Sequence, residues 1–187
     1  MSIAHAHEHE TGINTLEELR ALIPDTAKDI RINLSSVLNL NPQSGLTESQ
    51  IWGIALSSAY ATRHPTVIAV IKQEAADILT AEEMQAAESA ATVMAMNNIY
   101  YRFVHLVSDK EYQTRPAGLR MNVIGQPGIE KRDFELYALA VSALNGCGMC
   151  MDAHVQQVEA ESVSKDGIQH TIRIAAVLSA TAQALIL

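Results

Sequence analysis

The sequence is poor in aromatic side chains and in positive charge. Aromatic residues make up 4% of its 187 residues, and 13 Lys plus Arg stand against 21 Asp plus Glu, which gives a formal net charge of −8. Hydrophobic residues reach 48%, with Ala and Leu prominent, and such a chain with few aromatics favours helices over a sheet-based core. The negative charge disfavours nucleic acids and anionic membrane surfaces as partners.

Long apolar runs are absent as well. No stretch of the chain reaches the roughly 18 residues that a membrane-spanning helix needs. The start of the chain, MSIAHAHEHETGINT, lacks the basic and apolar regions of a signal peptide, so we expect a cytoplasmic protein with no membrane association. Residues 1–14 predict a flexible tail, in which His5, His7 and His9 are a weak candidate for metal binding. Residues 15–187 predict a single all-helical domain.

Helix signals recur along the rest of the chain. The capping-box pairs Thr47/Gln50 and Thr80/Glu83 each predict the start of a helix, and His64-Pro65 predicts the end of the first one. Period and composition predict helices before Pro24 and over residues 26–38, 47–64, 65–79, 80–107, 132–145, 147–160 and 166–187. Residues 108–128 predict a polar loop, in which Val123 and Ile124 are the best candidates for an extended backbone.

Cysteine is equally scarce, since the chain has only Cys147 and Cys150, in a CGMC motif. In a cytoplasmic protein such a pair is more often catalytic or metal-binding than structural. The preceding run YALAVSAL is helix-like and Asn145-Gly146 supplies a helix stop, so the pair is expected at the start of a helix in a helical hairpin. This context differs from thioredoxin, where the pair follows a strand. A thiol in a first helical turn faces unpaired N–H groups that stabilise a thiolate.

A histidine and a glutamate are the candidate partners of this pair. His154 follows Cys150 by four residues, so both share a helix face and the imidazole can take the thiol proton. Glu135 lies ten residues before Asn145, and His154 lies eight residues after Gly146. At about 1.5 Å of rise per residue, these depths put Glu135 opposite His154 in an antiparallel hairpin. The predicted relay is Glu135–His154–Cys150, with Cys147 as the second thiol.

Simpler interpretations compete with the relay. The two cysteines are also compatible with small core residues, His154 with an ordinary packed histidine, and Glu135 with a solvated helix side chain. All four side chains together could ligate zinc, although four ligands on one hairpin would be cramped. The roles of the two cysteines are interchangeable at this point. Because the first Cys of such a pair is often the more exposed one, Cys147 is a candidate to meet a reductant.

The spacing of these residues resembles a known family. Glu135, eleven residues, the CGMC motif, three residues and His154 are similar to the signature of the alkyl hydroperoxidase D branch of the carboxymuconolactone decarboxylase-like superfamily. The similarity extends through AKDIRINLSSVL, MAMNNIYYRF and LRMNVIGQPGIEKRDFELYALAVSALNGC. It implies an all-α fold, a homotrimer and a peroxidase without a bound cofactor, reduced by dihydrolipoyl groups on a lipoylated carrier protein. It also implies reduction of the oxidised cysteines of the peroxiredoxin alkyl hydroperoxide reductase C.

The resemblance assigns roles by position. It makes Cys150 the thiol that is oxidised to sulfenic acid, Cys147 the proton donor and disulfide partner, and Glu135 with His154 the relay. Well-known members carry a histidine immediately before the second Cys, where this sequence has Met149. That departure weakens the case for independent peroxidase turnover more than the case for dithiol exchange.

Three other functions stay open on the sequence. The first is a thiol-disulfide adaptor without significant peroxidase activity. The second is a cofactor-free decarboxylase or lactone-handling enzyme of the same superfamily, which has no need of a dithiol. The third is a helical interaction module with unreactive cysteines. The segment NNIYYR at 97–102 predicts either a polar network near the site or, as the favoured alternative, a brace for subunit packing.

Overall fold

The computed structural model describes residues 12–187. Over that range the chain is all-helical and contains no strand, which confirms the predicted fold class. His5, His7 and His9, and most of the predicted tail, lie outside the described residues. None of the helices in the described range is both long enough and apolar enough to cross a bilayer.

Nine α-helices and two short 3-10 turns follow one another in residues 12–187. The helices are α1 (Leu16–Leu22), α2 (Lys28–Leu38), α3 (Glu48–Thr62), α4 (Pro65–Ala75), α5 (Ala81–Leu106), α6 (Asn122–Gly125), α7 (Lys131–Leu144), α8 (Gly148–Ala160) and α9 (Lys165–Ala184). The 3-10 turns are Asp25–Ala27, before α2, and Lys110–Gln113, after α5.

The capping and helix-breaking residues identified in the sequence lie at helix ends in the structure. Thr47 caps α3 and Thr80 caps α5, each with a complete capping box that pairs the free N–H groups of the first turn. Arg63, in the left-handed conformation, ends α3, and Pro65 opens α4, where a missing N–H costs nothing. The predicted starts of these helices are therefore correct.

The prediction of an extended backbone at Val123 and Ile124 is wrong. Both residues lie in α6, a single helical turn in which the Ile124 N–H donates to the Met121 carbonyl at 3.1 Å. Their side chains pack against the main hydrophobic core. Tertiary packing thus overrides the β-propensity of a short β-branched pair.

Helix α3 lies at the centre of the packing and positions the helix that carries Glu135. It contacts α4, α5, α7 and α9, and most of its residues are buried. Its contact with α7 is close, because a Cβ atom placed on Gly53 would lie 2.0 Å from the Tyr137 hydroxyl oxygen. Only glycine admits the Tyr137 ring here. The position of α7, and hence of Glu135, therefore depends on this close approach.

Candidate active site

The hairpin of α7 and α8 holds the predicted site residues. At its turn, the Cys147 N–H donates to the Ser142 carbonyl at 3.1 Å, and Gly146 adopts a positive φ of 67°. Glycine adopts that conformation without strain. The chain therefore reverses over the three residues between Leu144 and Gly148, and α8 runs back along α7.

The two cysteines form a disulfide at the N-terminus of α8. Cys147 is the N-cap residue, and its Sγ accepts a hydrogen bond from the Cys150 N–H at 3.3 Å. Cys147 is fully buried, whereas Cys150 is 7% exposed. The expectation that Cys147 is the more exposed thiol is therefore wrong. Its side chain turns towards the unpaired N–H groups of α8, as an N-cap side chain does, and away from solvent.

Glu135 and His154 are in direct contact between the two helices of the hairpin. The Glu135 Oε2 and the His154 Nδ1 lie 2.6 Å apart, and the side chains are almost completely buried. An ionised carboxylate can only accept a hydrogen bond, so the Nδ1 carries the proton of this bond. The Nε2 is then the nitrogen left for other chemistry. The predicted depth match between the two helices corresponds to a real contact.

A cavity of about 190 Å³ borders Cys150 and His154. Its remaining lining residues come from three helices: the apolar Met94, Ile124, Met149 and Ala153, and the polar Asn97 and Tyr101. Cys147 is not part of this lining. A small apolar molecule in the cavity would therefore meet Cys150 and not Cys147.

The segment 97–102 forms a polar network beside the site. The Asn98 Nδ2 donates to the Ser142 Oγ at 2.9 Å, and the Asn145 Nδ2 donates to the Asn98 Oδ1 at 2.9 Å. The Arg102 guanidinium donates to the Asn145 carbonyl at 2.6 Å. Of the two alternatives for this segment, the polar network near the site is present within the chain, and the favoured one, a brace for subunit packing, stays a prediction. The network ties α5 to the turn that precedes Cys147.

Several residues of the site carried no sequence signal. Met94 and Ile124 lie at least 26 residues from Cys150 along the chain and reach the cavity only through packing. Ser142 is one small residue in an apolar run, and nothing in its neighbours indicates a partner in α5. Ala153, three residues after Cys150, could have been found from helical spacing. Among residues 12–187, no group of three or more His, Cys, Asp or Glu side chains is arranged to hold a metal ion.

Known proteins are similar to this chain over most of its length. Residues 110–185 match the model of the carboxymuconolactone decarboxylase family. The chain is 55% identical over 172 residues to a protein of Coxiella burnetii (strain RSA 493 / Nine Mile phase I) named alkyl hydroperoxide reductase AhpD, covering 92% of this chain and 97% of that one. Proteins of the same name from Streptomyces avermitilis and Hyphomonas neptunium are 51% and 50% identical. These alignments cover 91% of this chain in both cases, and 94% and 93% of the two relatives.

Proposed function

Because this chain belongs to the AhpD proteins of the carboxymuconolactone decarboxylase family, we propose that it reduces alkyl hydroperoxides with the Cys147/Cys150 dithiol. The observation that carries the proposal is the placement of Cys150. This residue borders an apolar cavity together with His154, whose imidazole is held by Glu135 at 2.6 Å. A nucleophile, a base and a group that orients the base are then adjacent to one small binding site.

The first step oxidises Cys150. In the reduced protein, His154 takes the thiol proton, and the negative Glu135 stabilises the imidazolium that forms. The thiolate attacks the terminal oxygen of the hydroperoxide, an S–O bond forms and the O–O bond breaks. Sulfur supplies the electron pair, and the departing alkoxide takes the proton from His154. The products are an alcohol and the Cys150 sulfenic acid.

The second step forms the disulfide. The Cys147 thiol attacks the sulfur of the Cys150 sulfenic acid, and hydroxide leaves with the thiol proton as water. Cys147 suits this role because its sulfur lies next to Cys150 and away from the cavity. Burial protects it from direct oxidation by the peroxide, since susceptibility follows exposure.

A dihydrolipoyl group on a carrier protein then restores the dithiol. One lipoyl thiolate attacks the sulfur of Cys150, the more exposed half of the disulfide, and expels the Cys147 thiolate. The helix N-terminus, through the Cys150 N–H at 3.3 Å from the Cys147 Sγ, favours a negative sulfur there. The second lipoyl thiol attacks the lipoyl sulfur of the mixed disulfide, the S–S bond to Cys150 breaks and the Cys150 thiolate leaves. The two cysteine thiolates take up the two protons that the lipoyl thiols release, so the products are a cyclic lipoyl disulfide and the protein dithiol.

A second function is supported by Met149. The residue borders the cavity at the position where well-known family members carry a histidine, so one proton-carrying group is missing from this site. The dithiol would then serve mainly to reduce the disulfide of the peroxiredoxin alkyl hydroperoxide reductase C. We also propose that this peroxiredoxin is the partner of the protein and that the protein is a homotrimer. Its proposed location is the cytoplasm, where reducing conditions keep the dithiol available.

A coupled steady-state assay tests the proposal. The full-length protein, a lipoylated carrier, dihydrolipoyl dehydrogenase and NADH are mixed with tert-butyl hydroperoxide, with and without the peroxiredoxin. NADH oxidation without the peroxiredoxin, abolished by Cys150→Ser, is the expected result. Turnover only with the peroxiredoxin present would assign the protein the adaptor role, and no turnover in either mixture would contradict both redox functions.

A further inference from the structure

Asn97 is a buried polar residue of the cavity whose hydrogen bonding is incomplete. It lies on α5, is 4% exposed and borders the same cavity as Cys150 and His154. Its Oδ1 is buried and has no hydrogen-bond partner. Such an atom is uncommon in folded proteins and calls for a specific explanation.

The adjacent residue shows what a structural asparagine looks like in this helix. The Asn98 side chain donates to Ser142 and accepts from Asn145, both at 2.9 Å, and it is fully buried. The two carboxamides differ by one position and therefore by one helical step, about 100° around the axis. That step directs Asn98 into the packing against α7 and places Asn97 at the cavity. Packing accounts for the first amide and leaves the Oδ1 of the second without a partner.

We propose that Asn97 binds the peroxide group of the substrate, an inference that rests on the proposed hydroperoxide reductase function. A hydroperoxide carries one O–H donor and two acceptor oxygens, and a carboxamide carries one acceptor oxygen and two N–H donors. The Asn97 Nδ2 donates to the oxygen that bears the alkyl group, and rotation of the carboxamide about its χ2 bond opens the buried Oδ1 to the hydroperoxide O–H, which it accepts. These two bonds turn the terminal oxygen towards the Cys150 sulfur.

The same contact stabilises the charge that develops during the reaction. When the O–O bond breaks, negative charge appears on the oxygen that bears the alkyl group. An N–H donor already directed at that oxygen stabilises the transition state more than the ground state. Asn97 transfers no proton, because the alkoxide receives its proton from His154. The apolar side chains of Met94, Ile124 and Ala153 face the alkyl group, so the site combines one polar anchor with an apolar wall, as small-molecule sites do.

The test separates recognition of the peroxide from an effect on the thiol. Pre-reduced wild type, Asn97→Leu and the smaller change Asn97→Ala are each mixed with tert-butyl hydroperoxide and, separately, with iodoacetamide. We expect the rate constant for the hydroperoxide to fall by about tenfold or more in both variants, because a transition-state donor is lost. Alkylation by iodoacetamide, which reports thiolate character, should change by less than about twofold. Gln85→Leu removes an exposed carboxamide from the same helix and should alter neither rate.

Each other outcome overturns the inference. Parallel losses with both reagents would mean that Asn97 acts on the thiol itself, and unchanged rates with both would mean that it has no role in the reaction. A wild type that does not react with the hydroperoxide would overturn the proposed function as well, so the two failures are distinguishable. The melting temperature is a further readout. A purely structural role predicts a less stable Asn97→Leu variant, whereas removal of an unpaired buried oxygen predicts a stability equal to or above that of the wild type.

Discussion

Among single residues, Glu135 places a carboxylate against His154, the side chain that we propose takes the Cys150 proton. The carboxylate lies 2.6 Å from the His154 Nδ1 in a buried position, where charge–charge interactions are stronger than in water. In Glu135→Gln the hydrogen bond can persist but the negative charge is lost. We expect the reaction of the reduced protein with tert-butyl hydroperoxide to slow by about tenfold or more at neutral pH, and the midpoint of its pH–rate profile to move to higher pH.

The shift of the pH–rate profile to higher pH follows from a weaker ion pair between the Cys150 thiolate and the His154 imidazolium. A less stable imidazolium forms fewer thiolate–imidazolium pairs, so the thiolate appears only when a higher pH removes its proton directly. Stopped-flow rates of the reaction with tert-butyl hydroperoxide, recorded across pH, measure the midpoint of the profile. Glu82→Gln, an exposed carboxylate in the first turn of α5, is the matched control. A Glu135→Gln profile that overlays the wild type would refute the relay.

Met149 offers a prediction in the opposite direction. It borders the cavity, and its thioether can neither donate nor accept a proton in this chemistry. We expect Met149→His to raise peroxide reduction by the protein alone, because an imidazole beside Cys150 adds a proton carrier. Met149→Leu keeps the apolar character and serves as the control. Equal rates in the two variants would show that this position does not limit the reaction.

Among the helices, the close approach of α3 and α7 holds Glu135 in place. A Cβ on Gly53 would lie 2.0 Å from the Tyr137 hydroxyl oxygen and 2.1 Å from the ring carbon that bears it. Gly53→Ala should therefore lower the free energy of unfolding by about 1–3 kcal/mol, the usual cost of overpacking. Urea unfolding measures this. A Cβ at Gly125 would meet nothing within 4 Å, so the free energy of unfolding of the control Gly125→Ala should stay within about 1 kcal/mol of the wild-type value. A Gly53→Ala variant as stable as the wild type would contradict the close approach of α3 and α7.

Helix starts and the hairpin were predictable because their causes are local. The capping boxes at Thr47 and Thr80 and the stop at Asn145-Gly146 act within four residues of themselves. The contact between Glu135 and His154 was predictable for the same reason, since helical rise alone sets both depths. The cavity was not predictable, because Ile124 reaches it by long-range packing. The burial of Cys147 was missed because its role as an N-cap outweighs the usual exposure of a first cysteine.

For the molecule as a whole, His170 predicts how stability depends on pH. It joins α9 to α2, with its Nε2 donating to the Val37 carbonyl at 3.1 Å and its Nδ1 buried without a partner. Burial holds the pKa of His170 below its ordinary value of 6.5, against the opposing hydrogen bond to Val37 and with a smaller contribution from Arg173. The unfolded chain therefore binds a proton at a higher pH than the folded chain does.

The direction in which pH changes the stability follows from this difference in the His170 pKa between the folded and the unfolded chain. Stability from a neutral His170 is fully present above the unfolded pKa of 6.5 and is lost as pH falls towards the lower pKa of the folded state. Urea unfolding of the wild type should show a free energy that decreases with acidification below that value. His170→Gln should flatten the slope, and His105→Gln, at an exposed position, should not. A slope unchanged in His170→Gln would contradict this explanation.

The proposed mechanism requires that Cys150 reacts with the peroxide and that Cys147 then forms the disulfide with the Cys150 sulfenic acid. The most direct test is mass spectrometry of reduced Cys147→Ser and Cys150→Ser after one equivalent of tert-butyl hydroperoxide, with dimedone to trap sulfenic acid. We expect a dimedone adduct on Cys150 in Cys147→Ser and no adduct in Cys150→Ser. An adduct on Cys147 in Cys150→Ser, with Cys150 unmodified in the other variant, would contradict it.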